Sequence, residues 1–247
     1  MPAVVTDSRS KTKANEGSMR EKQSGAIKTP VAIPIDGESL SGDLGMPADP
    51  HGIVLFAHGS GSSRHSTRNQ YVARTLEGRR LATLLIDLLT PEEEAIDDRT
   101  AEYRFDIPML AGRLVTIVDW LRRREDTASL PIGLFGASTG GGAALIAAAD
   151  RPNEIAAVVS RGGRPDLADA ALPKVTAPTL LVVGGFDAPV IQMNRDAMKQ
   201  MRGEVKLEIV PGATHLFEEP GTLERVAELA GAWFAQHLQP AVAGRRG

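Results

Sequence analysis

Residues 131–145 read PIGLFGASTGGGAAL, and the fold turns on how that stretch is parsed. An apolar run ends near Phe135 and a helix is expected to begin near Thr139. Between them Gly136-Ala137-Ser138-Thr139-Gly140 matches G-x-S-x-G, which in a strand–turn–helix setting places a nucleophile on a tight elbow. The serine backbone must be held in a strained conformation for its hydroxyl to project. The residues two before and two after approach the strand and helix backbones, where a Cβ would collide. The helix then aims its N-terminus at the serine, so its amides can steady a developing oxyanion. Gly141 and Gly142 each weaken that helix by roughly 1 kcal/mol relative to alanine. A merely structural helix would carry alanine there. The plainer reading, a glycine-rich turn with an incidental serine, leaves those glycines without a purpose.

Outward from this turn the same rhythm recurs. GIVLFAHG, LATLLIDLL, IAAVVSRGG, TLLVVGG and VKLEIV are apolar runs suited to strands buried on both faces. VAIPID and SGDLGMP, upstream, read as two short strands. In FDIPMLAGRLVTIVDWLRRRE, Leu110, Leu114, Ile117, Val118 and Leu121 share one helical face, with Asp106 as the cap. Leu223, Val226, Leu229, Trp233 and Phe234 form a second stripe near the end. Trp120 and Trp233 fall on these apolar faces and are expected in the core. Alternating strands and helices imply a parallel sheet covered on both sides, with ligands bound beyond the carboxyl ends of its strands.

The chain has 247 residues, 42% of them apolar, a net charge of −3 and no cysteine. One globular domain is expected over 29–240, with disordered tails at 1–28 and 241–247. Nothing points to a nucleic-acid partner. No run reaches the roughly 20 apolar residues of a membrane span, and the N-terminus lacks the apolar core of a signal peptide. A cytoplasmic location is expected. Without cysteine, disulfides, thiolate metal sites and a cysteine nucleophile are excluded.

A serine hydroxyl needs a base, and histidine is the usual one near neutral pH. His51 precedes a strand, at the wrong edge of the sheet, and His237 sits in the last helix. His58 and His65 are at the right edge but upstream of the serine. His215, in PGATHLFEEPG, follows the last strand directly. Asp187, in LLVVGGFDAPV, follows another strand and supplies the carboxylate, although it could equally cap the helix that starts near Pro189. Asp166, Glu218 and Glu219 are weaker competitors. The order Ser138, Asp187, His215 is the one expected for a nucleophile elbow of this type. In the loop His58-Gly59-Ser60-Gly61, the Ser60 amide is expected to join the Thr139 amide as an oxyanion donor.

The same loop begins a G-x-G-x-x-G pattern, with Asp87 ending the next strand, as in a dinucleotide-binding unit. Arg64 stands where the third glycine belongs, and that reading leaves the serine, aspartate and histidine unexplained.

HGSGSSRHSTRN, GASTGGGAAL, SRGGRPDLA, LLVVGGFDAPV and GATHLFEEPGTLE together make the chain from about Val31 to Leu238 resemble an α/β-hydrolase of the dienelactone-hydrolase-like group. The resemblance implies a mostly parallel sheet of about eight strands flanked by helices, with the Ser–Asp–His set just named. It also implies hydrolysis of carboxylic esters without a cofactor or metal. Dienelactone hydrolases carry a cysteine nucleophile where Ser138 stands here, so a general small-molecule esterase is expected rather than a dienelactone substrate. Lactone, thioester, amide and polyester substrates, or a non-catalytic ligand-binding role, remain as alternatives.

Little chain separates Ser160 from Thr179, so a minimal cap or none is expected. TPEEEAIDDRTAEYRFD reads as a solvated loop rather than a pocket wall. Arg64, Arg68, Arg161 and Arg164 lie just past strand ends. They either capture an anionic part of a substrate, with Arg64, His65 and Arg161 as candidate contacts, or form surface ion pairs with neighbours such as Asp166. The sequence favours the ion pairs and leaves oligomeric state open.

Overall fold

The computed structural model describes residues 25–239, so the expected tails lie outside the described residues except for 25–28. The first strand, β1 (Ile27–Ile35), starts inside the segment expected as a tail, because Ile27 and Lys28 pair with Met46 and Gly45 of β2 (Glu38–Met46). Asp36 and Gly37, both at positive φ (43° and 88°), make the hairpin turn between them.

Six further strands complete the sheet: β3 (Gly52–Ala57), β4 (Leu81–Ile86), β5 (Ile132–Ala137), β6 (Ile155–Arg161), β7 (Thr179–Gly184) and β8 (Val205–Val210). Their spatial order is β1-β2-β4-β3-β5-β6-β7-β8. β1 and β2 run antiparallel, β2 pairs antiparallel with β4, and all other pairings are parallel. Every residue of β3, β4, β5 and β7 is buried. Such strands favour apolar side chains on both faces, which is why they read as apolar runs, with Thr83 and Thr179 the buried polar members. β8, at the edge, leaves Lys206 and Ile209 exposed.

Among the described residues six α-helices accompany the sheet: α1 (Thr67–Glu77), α2 (Pro91–Thr100), α3 (Ile107–Arg123), α4 (Thr139–Asp150), α5 (Ala188–Met198) and α6 (Thr222–His237). α3 and α4 pack on one face of the sheet, with Leu114, Ile117, Leu121 and Leu145 fully buried. α1 and α6 cover the other, through Val72, Leu76, Val226 and Phe234. Truncating a side chain as buried as Phe234 to alanine costs about 3–5 kcal/mol. The carboxylate of Asp106 accepts from the Met109 amide at 3.0 Å, the cap that the sequence implied for α3. Trp233 is buried, whereas Trp120 is half-buried under the Arg124 guanidinium, 4.7 Å from its ring centre.

The acidic segment after β4 departs from the expected solvated loop. It folds as α2, whose start is fixed by a capping box. The Thr90 hydroxyl accepts from the Glu93 amide at 3.3 Å and the Glu93 carboxylate accepts from the Thr90 amide at 2.9 Å. Arg113 on α3 clasps that carboxylate at 2.6 Å. Asp97, the one buried residue of α2, accepts from the amides of Tyr103 and Arg104 at 2.8 and 2.9 Å. These charges therefore fix a wall instead of merely facing water. Between β6 and β7 there is only a 3-10 segment, Pro165–Lys174, in keeping with a site that carries little cap.

Candidate active site

The turn after β5 is as strained as its sequence implied. Ser138 sits at φ 51°, ψ −121°, a region that costs a non-glycine residue about 1–3 kcal/mol. The surrounding backbone holds it there. Its amide donates to the Arg161 carbonyl at 3.1 Å, and its carbonyl accepts from Gly141 and Arg164 at 2.9 and 3.0 Å. A Cβ on Gly136 would lie 2.6 Å from the Gly140 carbonyl oxygen, and one on Gly140 would strike the Ala57 carbonyl. Both glycines of the elbow are thus sterically required.

The structure brings the three distant side chains together. His215, in the loop after β8, meets Ser138 Oγ with Nε2 at 3.3 Å and Asp187 Oδ2 with Nδ1 at 2.6 Å. An ionised carboxylate can only accept, so Nδ1 carries the proton and Nε2 presents its lone pair to the hydroxyl. Asp187 stands at the N-cap position of α5, yet its side chain makes no capping bond. The carboxylate turns to the imidazole instead. Its side chain is 14% exposed against 37% for His215, so the acid is sheltered while the base stays reachable.

The competing carboxylates are engaged elsewhere. Asp166 pairs with Arg164 at 2.7 Å and Glu218 with Arg68 at 3.0 Å. Glu219 accepts from the Thr214 amide and hydroxyl at 3.1 and 2.6 Å.

The loop after β3 carries a finding the sequence did not disclose. The Ser60 amide, expected to face an oxyanion, donates instead to Thr139 Oγ1 at 2.9 Å, because the loop lies against the start of α4. The Thr139 amide opens α4 and has no partner four residues back. His58 is no base here. The Leu88 amide donates to its Nε2 at 3.0 Å, and its Nδ1 donates to the Gly59 carbonyl at 3.0 Å. Both nitrogens are used in the neutral ring, and burial pushes its pKa below the usual 6.5. His58 therefore braces the loop that presents Ser60.

The three candidate substrate contacts separate. Arg64 is bound to Asp87 through its amide at 2.7 Å and through its guanidinium, and lies 3.6 Å from Asp43. That leaves the Asp87 carboxylate occupied and removes the basis of the dinucleotide reading. His65 is exposed, on the loop ahead of α1. Arg161 is 8% exposed and forms no ion pair among the described residues.

Sequence reasoning missed a cleft on the α2 side of the loop after β3. Ser60, Gly61, Leu89, Asp97, Arg104 and Leu110 help line it. The capping box at Thr90 and Glu93 was the signal that could have revealed its wall. Phe186 and Leu216, beside Asp187 and His215, are 74% and 42% exposed and give the rim an apolar character. Among the described residues no cluster of three or more His, Asp or Glu could hold a metal ion. None of their helices is long and apolar enough to cross a membrane.

Comparison with known proteins places this geometry. The model of the dienelactone hydrolase family matches residues 78–238. The crystal structure of a dienelactone hydrolase from Anabaena variabilis superposes with a TM-score of 0.86 at 59% identity, covering 87% of this chain and all (100%) of that one. Est1E from Butyrivibrio proteoclasticus shares the fold, with a TM-score of 0.71 at 20% identity over 84% of this chain and 98% of that one. Two Mycobacterium tuberculosis proteins, each named as a candidate phosphoribosyl transferase, are 55% identical over 225 residues, 91% of this chain. The chain spans only 48%, about half, of the length of those two relatives.

Proposed function

The chain belongs to the dienelactone hydrolase family, and from that premise we propose that it is a serine hydrolase that cleaves small carboxylic esters through an acyl-enzyme. Ser138 Oγ attacks the ester carbonyl while His215 Nε2 takes its proton. Asp187 holds the imidazole by Nδ1 and stabilises it once charged. The Thr139 amide and the Thr139 hydroxyl, polarised by the Ser60 amide that donates to it, steady the tetrahedral oxyanion. His215 then returns its proton to the leaving alcohol, and water, deprotonated by the same nitrogen, releases the acid.

The observation that carries this reading is the single imidazole spanning a strained serine and a sheltered carboxylate, at 3.3 and 2.6 Å. The transferase in the names of the two mycobacterial relatives is said of chains about twice as long as this one. Here a nucleophile, its base and an oxyanion site occur together, the equipment of acyl transfer to water. The test is turnover of p-nitrophenyl acetate by the wild-type chain and by Ser138→Ala. Loss of at least about 10³-fold in kcat with unchanged circular dichroism supports the reading; retained turnover rejects it.

A further inference from the structure

The sheet ends on β1 and β8, and the two strands treat their outer edges differently. β1 carries Pro30 and Pro34, which have no N–H to offer a further strand. β8 has no proline. Among the described residues it pairs with β7 alone, in parallel. The Glu204 carbonyl accepts from the Thr179 amide at 2.8 Å, and the Val210 carbonyl accepts from the Gly185 amide at 2.8 Å. Even-numbered residues of β8 therefore direct their backbone groups to β7. The amides and carbonyls of Val205, Leu207 and Ile209 point away from the sheet. None of these has a backbone partner among the described residues. Such an edge is a template for another strand.

The side chains of β8 narrow the choice of strand. Lys206 and Glu208 lie on one face, 2.7 Å apart. Val205, Leu207 and Ile209 alternate onto the other, where Ile209 is 37% exposed. A second β8 laid antiparallel, with Leu207 opposite Leu207, meets every demand of this pattern. Val205 of each copy then faces Ile209 of the other. These are the residues whose backbone groups are free, so each pair exchanges both of its N–H···O bonds. Between them Lys206 of one copy stands against Glu208 of the other, at the closer spacing of a non-hydrogen-bonded pair. The charges alternate in sign around that cluster. Sliding the second strand by two residues sets Lys206 against Lys206 or Glu208 against Glu208. Sliding it by one leaves the backbone groups mismatched. In one register, then, the strand is complementary to itself.

We propose that β8 is the contact of a homodimer, in which two copies of this chain join their sheets edge to edge about a two-fold axis through Leu207. The axis stands perpendicular to the sheet, so the carboxyl edges of the two copies, and their candidate active sites, face opposite ways. Neither copy completes the other's site, and the proposal is independent of the hydrolase reading. The contact uses the same surface on both copies, so it closes on itself, and the prolines of β1 blunt the remaining edge.

Sedimentation velocity of the full chain over about 1–300 µM tests this, a range suited to an interface below the standard size. A monomer–dimer equilibrium is expected in the wild type. Lys206→Glu and Glu208→Lys each set like charges face to face, and each is expected to weaken the dimer about tenfold or more. The double variant restores opposite charges, and its dissociation constant is expected to return to within about threefold of the wild type. Lys206 is exposed, so its reversal does not threaten the fold, and circular dichroism at the lowest concentration checks each variant. Hydrogen exchange read residue by residue at both ends of the range locates the contact. The amides of Val205, Leu207 and Ile209 are expected to exchange more slowly as concentration rises. A wild type that stays monomeric throughout overturns the proposal. So does a dimer indifferent to both charge reversals. Protection of those amides at every concentration in a monomer also overturns it, because another segment of the chain then covers the edge.

Discussion

The amide of Ser60 and the hydroxyl of Thr139 are hydrogen-bonded at 2.9 Å, joining the loop after β3 to the first residue of α4. The hydroxyl accepts from the amide and keeps its own proton free to donate. In the mechanism proposed above, Thr139 would offer two donors to the oxyanion, its amide and its hydroxyl, with Ser60 polarising the second. Removal of one oxyanion donor typically costs about 10²–10³ in kcat.

Thr139→Val keeps the shape and removes the hydroxyl. Its kcat on p-nitrophenyl acetate is expected to fall by about 10²-fold, whereas Thr139→Ser stays within about threefold of the wild type. Equal kcat values for the valine variant and the wild type would restrict the oxyanion donors to backbone amides.

Asp187→Asn leaves the volume unchanged but offers His215 Nδ1 the choice of an amide donor, which favours the wrong tautomer. The expected loss in kcat is about 10⁴-fold. Asp166→Asn, by contrast, disturbs only the exposed pair with Arg164 and is expected to leave kcat within about twofold. Steady-state kinetics on both variants decides whether position 187 or a competing carboxylate serves the imidazole.

His58 gives the fold a pH dependence of defined sign. It is neutral in the folded chain because burial, as the largest influence, lowers its pKa below 6.5 and because its Nε2 accepts from the Leu88 amide. Above 6.5 neither the folded nor the unfolded chain protonates this ring, so it contributes no slope. As pH falls below 6.5 the unfolded chain takes up the proton first, and stability drops. His58→Gln retains an acceptor and a donor without the titration. Its melting temperature is expected to fall less than the wild type's between pH 7.5 and pH 5.5, and an identical fall in both proteins would refute this assignment.

Much of this architecture was legible in the sequence, for a physical reason. Strands buried on both faces are built mostly of apolar residues, so β3 to β7 announce themselves as apolar runs even with Thr83, Ser160, Arg161 and Thr179 among them, and an elbow that would collide with any Cβ announces itself as glycine. The positions of Asp187 and His215 followed because each comes directly after a strand at the carboxyl edge. α2 was harder. Its only buried residue is Asp97, so it has no apolar stripe, and its signature is the Thr90–Glu93 box at its start. Arg161 was harder still. An arginine after a strand reads the same whether it reaches solvent, as Arg164 does beside Asp166, or turns inward beside Arg68. Only the tertiary packing around the end of β6, under α6, separates the two. The bond between Ser60 and Thr139 joins residues 79 apart, and nothing local encodes it.

The central claim is that Ser138 is a nucleophile activated by His215. It is tested most directly by treating the wild-type chain, Ser138→Ala and His215→Ala with a fluorophosphonate, followed by intact-mass and peptide mass spectrometry. A single adduct on Ser138, absent from Ser138→Ala and formed far more slowly in His215→Ala, is the predicted result. No adduct on the folded wild-type protein, or an adduct on another residue, would contradict it.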